Sequence, residues 1–299
     1  SPEALRDEHD GGYRLYLELL CDDLALTLGA LFDRSQPQSV LFPTQPCLQN
    51  VLALLNASEL DPVWGEDETI GWIYQYFTPG ELRDEARAAS SAPRTAHELA
   101  FRNQFYTPRY VVAFLADNTL GRLWWKLRGG DTRLTEQCAY LIQDKSTLSD
   151  LLSPEQESSI VNRQSKIVNP TELRILDPAC GSGHFLLYCF DLLLTIYDEA
   201  YDDPNLGAAL RRDYPDREAF HRAMPKLILE HNLHGIDIDR RAAQIAGLAL
   251  WLRAQRAYRE LGLKVRERPL ITRSHIVCAE PMPGEYDLLG EFSRDLKPA

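Results

Sequence analysis

Leu173-Arg-Ile-Leu-Asp-Pro-Ala-Cys-Gly-Ser-Gly-His-Phe-Leu186 is the stretch that decides the fold. Leu173 to Leu176 is a short apolar run of the kind that forms a strand buried in a parallel sheet. It stops at Asp177, turns through Gly181 and Gly183, and enters an apolar helical pattern from His184 to Glu199. Strand, glycine turn and helix in that order is how α/β folds build a site at the carboxyl ends of their strands. Glycine lets the backbone approach a ligand closely, and the first turn of a helix offers free N–H groups. Those donors suit an anion such as a carboxylate or a phosphate.

Downstream the same pattern repeats. A loop with Asp202, Asp203, Pro204 and Asn205 leads to a further helix ending at Glu230. Leu233-His-Gly-Ile236 reads as a second strand closed by Asp237, and Asp239 is placed to cap a long helix. That helix carries Ala242, Ile245, Ala246, Ala249 and Leu250 on one face. Ser274 to Ala279 reads as a third strand.

Upstream the pattern is helical. Tyr13, Leu17, Leu20, Leu24, Leu28 and Leu31 recur at helical spacing over about residues 10 to 35. A second helix runs through Leu48, Val51, Leu52, Leu54 and Leu55, after a Gln/Pro-rich loop. The aromatics Trp64, Trp72, Tyr74, Tyr76 and Phe77 lie among apolar rather than basic residues, so core packing is expected of them before base stacking. Glu81 to Leu99 is interrupted by Ser90, Ser91 and Pro93. Thr107 and Pro108 read as the cap and first residue of an amphipathic helix through Val111, Val112, Phe114 and Leu115. Gly129 to Asn169 is polar and loop-rich, with one helix expected near Ala139–Ile142.

Two rival readings of the glycine loop fail on spacing. A dinucleotide fingerprint needs a third glycine where Leu186 stands and an acid roughly 20 residues on, far short of Asp237. A Walker loop needs a Gly-Lys-Ser/Thr that does not follow.

Composition sets the outer bounds. The chain has 299 residues, 44% of them apolar and 25% charged, as in globular proteins with a core of useful size. No apolar run approaches the roughly 20 residues of a membrane helix, and no signal peptide opens the sequence. Six scattered cysteines form no CxxC pair and read as reduced thiols in a cytoplasmic protein, with no metal site. With 44 acidic and 32 basic residues the net charge is −12, so the chain alone is a poor non-specific ligand for nucleic acid.

Asp177-Pro-Ala-Cys-Gly-Ser-Gly-His-Phe-Leu186 resembles the cofactor motif of γ-class DNA adenine-N6 methyltransferases, which use S-adenosylmethionine (SAM). The resemblance is greatest to the large single-chain enzymes of type IIG restriction–modification and of BREX-type phage defence, the PglX kind. Three further stretches fit in order: Gly71-Trp-Ile-Tyr-Gln-Tyr-Phe77, Phe105-Tyr-Thr-Pro-Arg-Tyr-Val-Val112 and Gly235-Ile-Asp-Ile-Asp239.

The resemblance implies an α/β fold: an incomplete Rossmann-like class I SAM-dependent methyltransferase core preceded by an α-helical N-terminal domain. Residues 1–100 would form the helical domain and residues 101–299 the core, with a polar insertion at about 129–170. SAM would lie over Asp177, Pro178, Ala179, Cys180, Gly181, Ser182 and Gly183, with its amino-acid end near Asp177 and Thr107. Tyr106 and Pro108 flank Thr107 in the preceding motif and enter the site with it. Asp237 would accept the ribose hydroxyls, with Ile236 or Ile238 bordering the adenine and Glu280 accepting from its amino group. Phe185 is expected in the core.

The family's Asn/Asp-Pro-Pro-Tyr/Phe motif, which grips a flipped adenine, is missing, since the chain contains no Pro-Pro dipeptide. No catalytic residue is therefore named. The expectation is the SAM-binding piece of a longer enzyme that meets double-stranded DNA, and other defence subunits, through regions outside this chain. A non-catalytic SAM-binding scaffold and an RNA or protein methyltransferase on the same fold are the alternatives.

Overall fold

The computed structural model describes residues 12–26, 28, 31–32, 41–76, 79–93, 96–102, 104, 106–143 and 169–279. Among the described residues eight α-helices precede the first strand: α1 (Tyr13–Ala25), α2 (Gln45–Leu55), α3 (Thr69–Gln75), α4 (Gly80–Ala89), α5 (Ala96–Arg102), α6 (Arg109–Ala116), α7 (Arg122–Leu127) and α8 (Leu134–Gln137). Strand β1 (Ile175–Asp177) leads to α9 (His184–Asp202), α10 (Ala208–Asp213) and α11 (Arg217–Leu227). Strand β2 (Leu233–Asp237), α12 (Arg240–Glu260) and β3 (His275–Cys278) complete the described part.

The three strands form one parallel sheet in the order β1-β2-β3. Ile175 pairs with Leu233 and Asp177 with Gly235, while Gly235 pairs with Ile276 and Asp237 with Cys278. This register brings the two acid-bearing strand ends, Asp177 and Asp237, to the same edge of the molecule. Parallel neighbours need a crossover of a dozen or more residues, and α9–α11 and then α12 supply it.

Helix α9 is the centre of the core. Leu186, Phe190, Leu192, Leu193, Ile196 and Tyr197 are fully buried, packed with Phe220, Ile228, Ala246, Ala254 and Tyr258. Gly235 in β2 is required by that packing: a Cβ there would meet Ile276, Leu186 and the Cys180 sulfur at 2.8–3.0 Å. Asn232, itself buried, accepts from the Tyr197 hydroxyl at 2.9 Å and donates to the carbonyls of Pro170 and Leu173, which fixes the approach to β1. On the other face Leu176 and Val277 are 58% and 51% exposed.

Several local expectations change here. The first helix ends at Ala25, and residues 27, 29–30 and 33–35 of the expected run lie outside the described residues. Where one helix is expected near Ala139–Ile142, the described residues place a short helix earlier, at α8, just after Thr132 and the backbone N–H of Arg133, which are held by buried Glu199. Pro108 is the cap residue of α6 rather than its first helical residue, because proline fixes φ but leaves ψ free, here at 144°. Thr107 therefore sits outside the helix and does not cap it. Between α6 and α7, Asp117–Gly121 form a wider π turn around buried Asp117, which accepts from Tyr188 at 2.8 Å and the Tyr140 amide at 3.0 Å. Among the described residues no helix is long and apolar enough to cross a membrane.

Candidate functional site

The loop after β1 is tied to β2 before any ligand is considered. The Cys180 N–H donates to the Ile236 carbonyl at 2.9 Å, and the Gly183 N–H to the Cys180 carbonyl at 2.8 Å. Gly181 and Gly183 take left-handed φ values of 53° and 90°, which β-carbon-bearing residues adopt only with strain. Around Gly181 nothing lies within 4 Å of where a Cβ would stand, so that face is open to a ligand. Gly183 is different: it caps α9, and a Cβ there would press on Ala246 of α12 at 3.1 Å.

Asp237 stitches this loop to the strand end. Its Oδ2 accepts the Gly181 N–H and its Oδ1 the Asp239 N–H, both at 2.7 Å. A carboxylate has about four lone-pair directions, so two remain for a ligand. Asp177 is held less completely. Its Oδ1 accepts the Ala179 N–H at 3.1 Å, while its Oδ2 is buried with no partner among the described residues. Burial pushes its pKa up, and the charge of Asp237 pushes in the same direction. A buried carboxylate oxygen in this state is suited to a cationic ligand group, which would supply both missing hydrogen bond and missing charge.

Above the loop lies a cleft of about 340 Å³ lined by Ala179–Ser182, His184, Phe185, Asp237–Asp239 and Ala242 from the core. Its other wall comes from Tyr74, Leu99, Ala100, Gln104, Tyr106 and Thr107. Helix α3 crosses close to the loop, so that a Cβ on Gly71 would lie 2.5 Å from Ser182 Oγ and 2.6 Å from His184 Nε2. The Tyr74 hydroxyl donates to Asp239 Oδ2. The rings of Trp72, Tyr106 and His184 gather with centroids 5.6–6.3 Å apart. Burial lowers the His184 pKa, which favours neutral imidazole. Burial, with the nearby charge of Asp239, raises the Tyr106 phenol to about 12. Burial, reinforced by Asp237 and Asp177, also raises the Cys180 thiol to about 12, so it is not a nucleophile at neutral pH.

Of the residues expected at the site, Tyr106, Thr107, Ala179, Cys180, Gly181, Ser182, Asp237 and Ile238 meet at the cleft. Asp177 and Gly183 belong to the same loop but are not among the residues that line the cleft, and Pro178 and Pro108 are exposed. Glu280, Phe77 and Phe105 lie outside the described residues. Phe185 is half-buried and lines the cleft instead of joining the core. Asp239 does cap α12, accepting the Arg241 N–H at 3.0 Å, and it also receives Tyr74. The aromatic stretch divides three ways: Tyr74 is buried, Trp72 packs on the site, and Tyr76 is 81% exposed. Tyr74, Leu99, Ala100 and Gln104 were not anticipated at the cleft. The one sequence signal was Gly71, a glycine inside a helical aromatic run, which marks close approach by another segment.

A parallel sheet whose first strand ends in a glycine loop, and whose second ends in an acid, agrees with an α/β methyltransferase-like fold. Residues 154–287 match the family model described as MmeI, DNA-methyltransferase domain. Over 204 residues the chain is 31% identical to the adenine-specific methyltransferase BrxX of Escherichia coli O9:H4, covering 68% of this chain and 15% of that protein. Over 199 residues it is 32% identical to the adenine-specific methyltransferase PglX of Lacticaseibacillus casei, covering 65% and 14%. A putative type II restriction enzyme and methyltransferase of Methanocaldococcus jannaschii is 31% identical over 161 residues, covering 50% and 12%. Over these stretches the chain is similar to adenine-specific methyltransferases, and residues 154–287 carry the match to a DNA-methyltransferase domain. It spans about 15% of the length of the curated relatives it matches. A methyl-donor cofactor goes with the family.

Proposed function

We propose that this chain is the SAM-binding portion of an enzyme that methylates adenine N6 in DNA, for restriction–modification or phage defence in the cytoplasm. The observation that carries the reading is the buried, unpaired Asp177 Oδ2 beside a glycine loop that opens a long helix. SAM brings an ammonium, a carboxylate and two ribose hydroxyls, and the residues present offer a counterpart to each.

Asp177 would pair with the ammonium, relieving the cost of its burial. The loop and the first turn of α9 would face the carboxylate, with Thr107 alongside. An unused lone pair of Asp237 would accept a ribose hydroxyl, and Ile238 would border the adenine. When bound, SAM supplies a methyl group made electrophilic by its sulfonium. The protein's share is then mainly positioning and the exclusion of water, for which the Trp72, Tyr106 and His184 rings provide a wall. No residue of this chain is assigned to the transfer itself.

The same reading divides the chain near residue 100 into an N-terminal helical part and a Rossmann-like core. Recognition of double-stranded DNA, and contact with other defence subunits, would fall to regions outside this chain. The net charge of −12 supports that division of labour, since it disfavours binding of a phosphate backbone here.

Calorimetric titration tests the reading. SAM should bind the chain in preference to NAD, and Asp237→Ala should weaken it by about 1–3 kcal/mol. A full-length protein that is folded and binds neither SAM nor its demethylated product would sink the assignment.

A further inference from the structure

Apart from the Trp72 ring, the sequence signature Gly71-Trp-Ile-Tyr74 has no role in the reading above, yet it lies against the glycine loop. Four observations concern what it does there. Gly71 brings α3 within contact of Ser182 and His184. Tyr74 reaches across 165 residues of sequence to Asp239, two positions from the acid assigned to the ribose. The Gln104 side chain donates to the Tyr74 oxygen, which leaves its carbonyl as an acceptor. That Gln104 Oε1, and the Tyr106 hydroxyl beside it, are buried without a partner among the described residues, and both side chains line the cleft.

Acid, phenol and amide thus form a chain, Asp239–Tyr74–Gln104, that begins beside the ribose acid and ends in an unpaired acceptor. The ligand groups near Asp237 are hydroxyl donors. We propose that α3 with Gln104, Tyr106 and Thr107 forms a roof over the bound cofactor, and that Gln104 Oε1 accepts a hydrogen bond from the ribose hydroxyl that Asp237 does not take. The inference rests on the SAM reading. It makes a segment from the helical half of the chain part of the cofactor site.

A roof held this way has a thermodynamic consequence. A ligand that donates to Gln104 fixes the amide that holds Tyr74, so binding and docking of α3 reinforce each other to the same extent. The roof should therefore act mostly on release rather than entry. Trp72, packed on Tyr106 and His184, is positioned to report the event by its fluorescence.

The test is stopped-flow and calorimetric binding of SAM to the full chain, with 2′-deoxy and 3′-deoxy ribose analogues of SAM beside it. In the unaltered protein, loss of the relevant hydroxyl should weaken binding about tenfold. In Gln104→Ala the SAM affinity should fall by about the same factor, and that analogue should then bind as well as SAM. Tyr74→Phe, which keeps the ring, should accelerate SAM release several-fold with little change in the association rate, while Tyr76→Phe should change neither. A general loosening of the fold would weaken SAM and both analogues alike and leave their ratios intact. Unchanged ratios in Gln104→Ala would overturn the contact. If SAM binding depends on Asp237 but not on Gln104 or Tyr74, the roof fails while the SAM reading stands. If SAM does not bind at all, both fall.

Discussion

Helices α9 and α2 are both rich in leucine, but α9 buries residues along most of its length and α2 buries none among the described residues. Helix α9 is enclosed by the sheet, α11 and α12, whereas Leu52, Leu54 and Leu55 of α2 are 43–70% exposed. An apolar stripe states that a helix has a face to cover and says nothing about what covers it. The energy comes from the covering. The two helices therefore predict very different responses to the same kind of truncation.

Phe190→Ala, at the centre of α9, should cost about 3–5 kcal/mol and is the largest effect expected, measured by denaturant unfolding. Glu199 lies on the same helix and receives Trp124 at 2.6 Å, Thr132 at 2.8 Å and the Arg133 amide at 2.6 Å. Glu199→Ala would strand these buried donors and should cost about 2–4 kcal/mol in the same assay. Asp216→Ala removes the side-chain cap of α11 and should cost about 1 kcal/mol. Leu54→Ala in α2 should stay within about 0.5 kcal/mol; a cost near that of Phe190→Ala would mean that α2 is covered in solution.

A pH experiment sharpens the contrast between packing and binding. Burial raises the pKa of Asp177 above its ordinary 3.8, so the fold favours its neutral form. Its contribution to stability is full below that ordinary value and is lost as pH rises through the higher folded value. Without ligand, the chain should lose stability through this group between about pH 4 and its raised folded pKa, and Asp177→Asn should remove that decline. The same variant should weaken SAM binding at neutral pH, because it removes the charge that meets the ammonium. Thermal unfolding across pH, paired with calorimetry, separates the two effects.

How much of this was legible in the sequence depended on the range of the interaction. The strand ends at Asp177 and Asp237, the glycine turn, the capping by Asp239 and the break around Ser90–Pro93 are set by neighbours a few residues away. They could be read directly. The Thr107–Pro108 cap misled because proline serves either side of a helix boundary, depending on ψ alone. The short helix α8 was expected a few residues later, because the buried carboxylate from α9 that holds the residues just before it is distant in sequence. The wall made by Tyr74 and Gln104 was not legible at all. It depends on where a distant segment docks, and only Gly71 hinted that something would come close.

Ala246 shows how far a binding loop extends beyond what a ligand could touch. Its methyl group is fully buried in α12, and the space it leaves is what lets Gly183 turn in the left-handed region and start α9. A random screen for variants that fold but bind weakly would therefore recover enlargements at position 246 alongside changes in the loop itself. In a recoded or grafted version of this loop, residue 246 would have to be transplanted with it. The heritable unit of the site is a loop together with one methyl group on a helix more than sixty positions away.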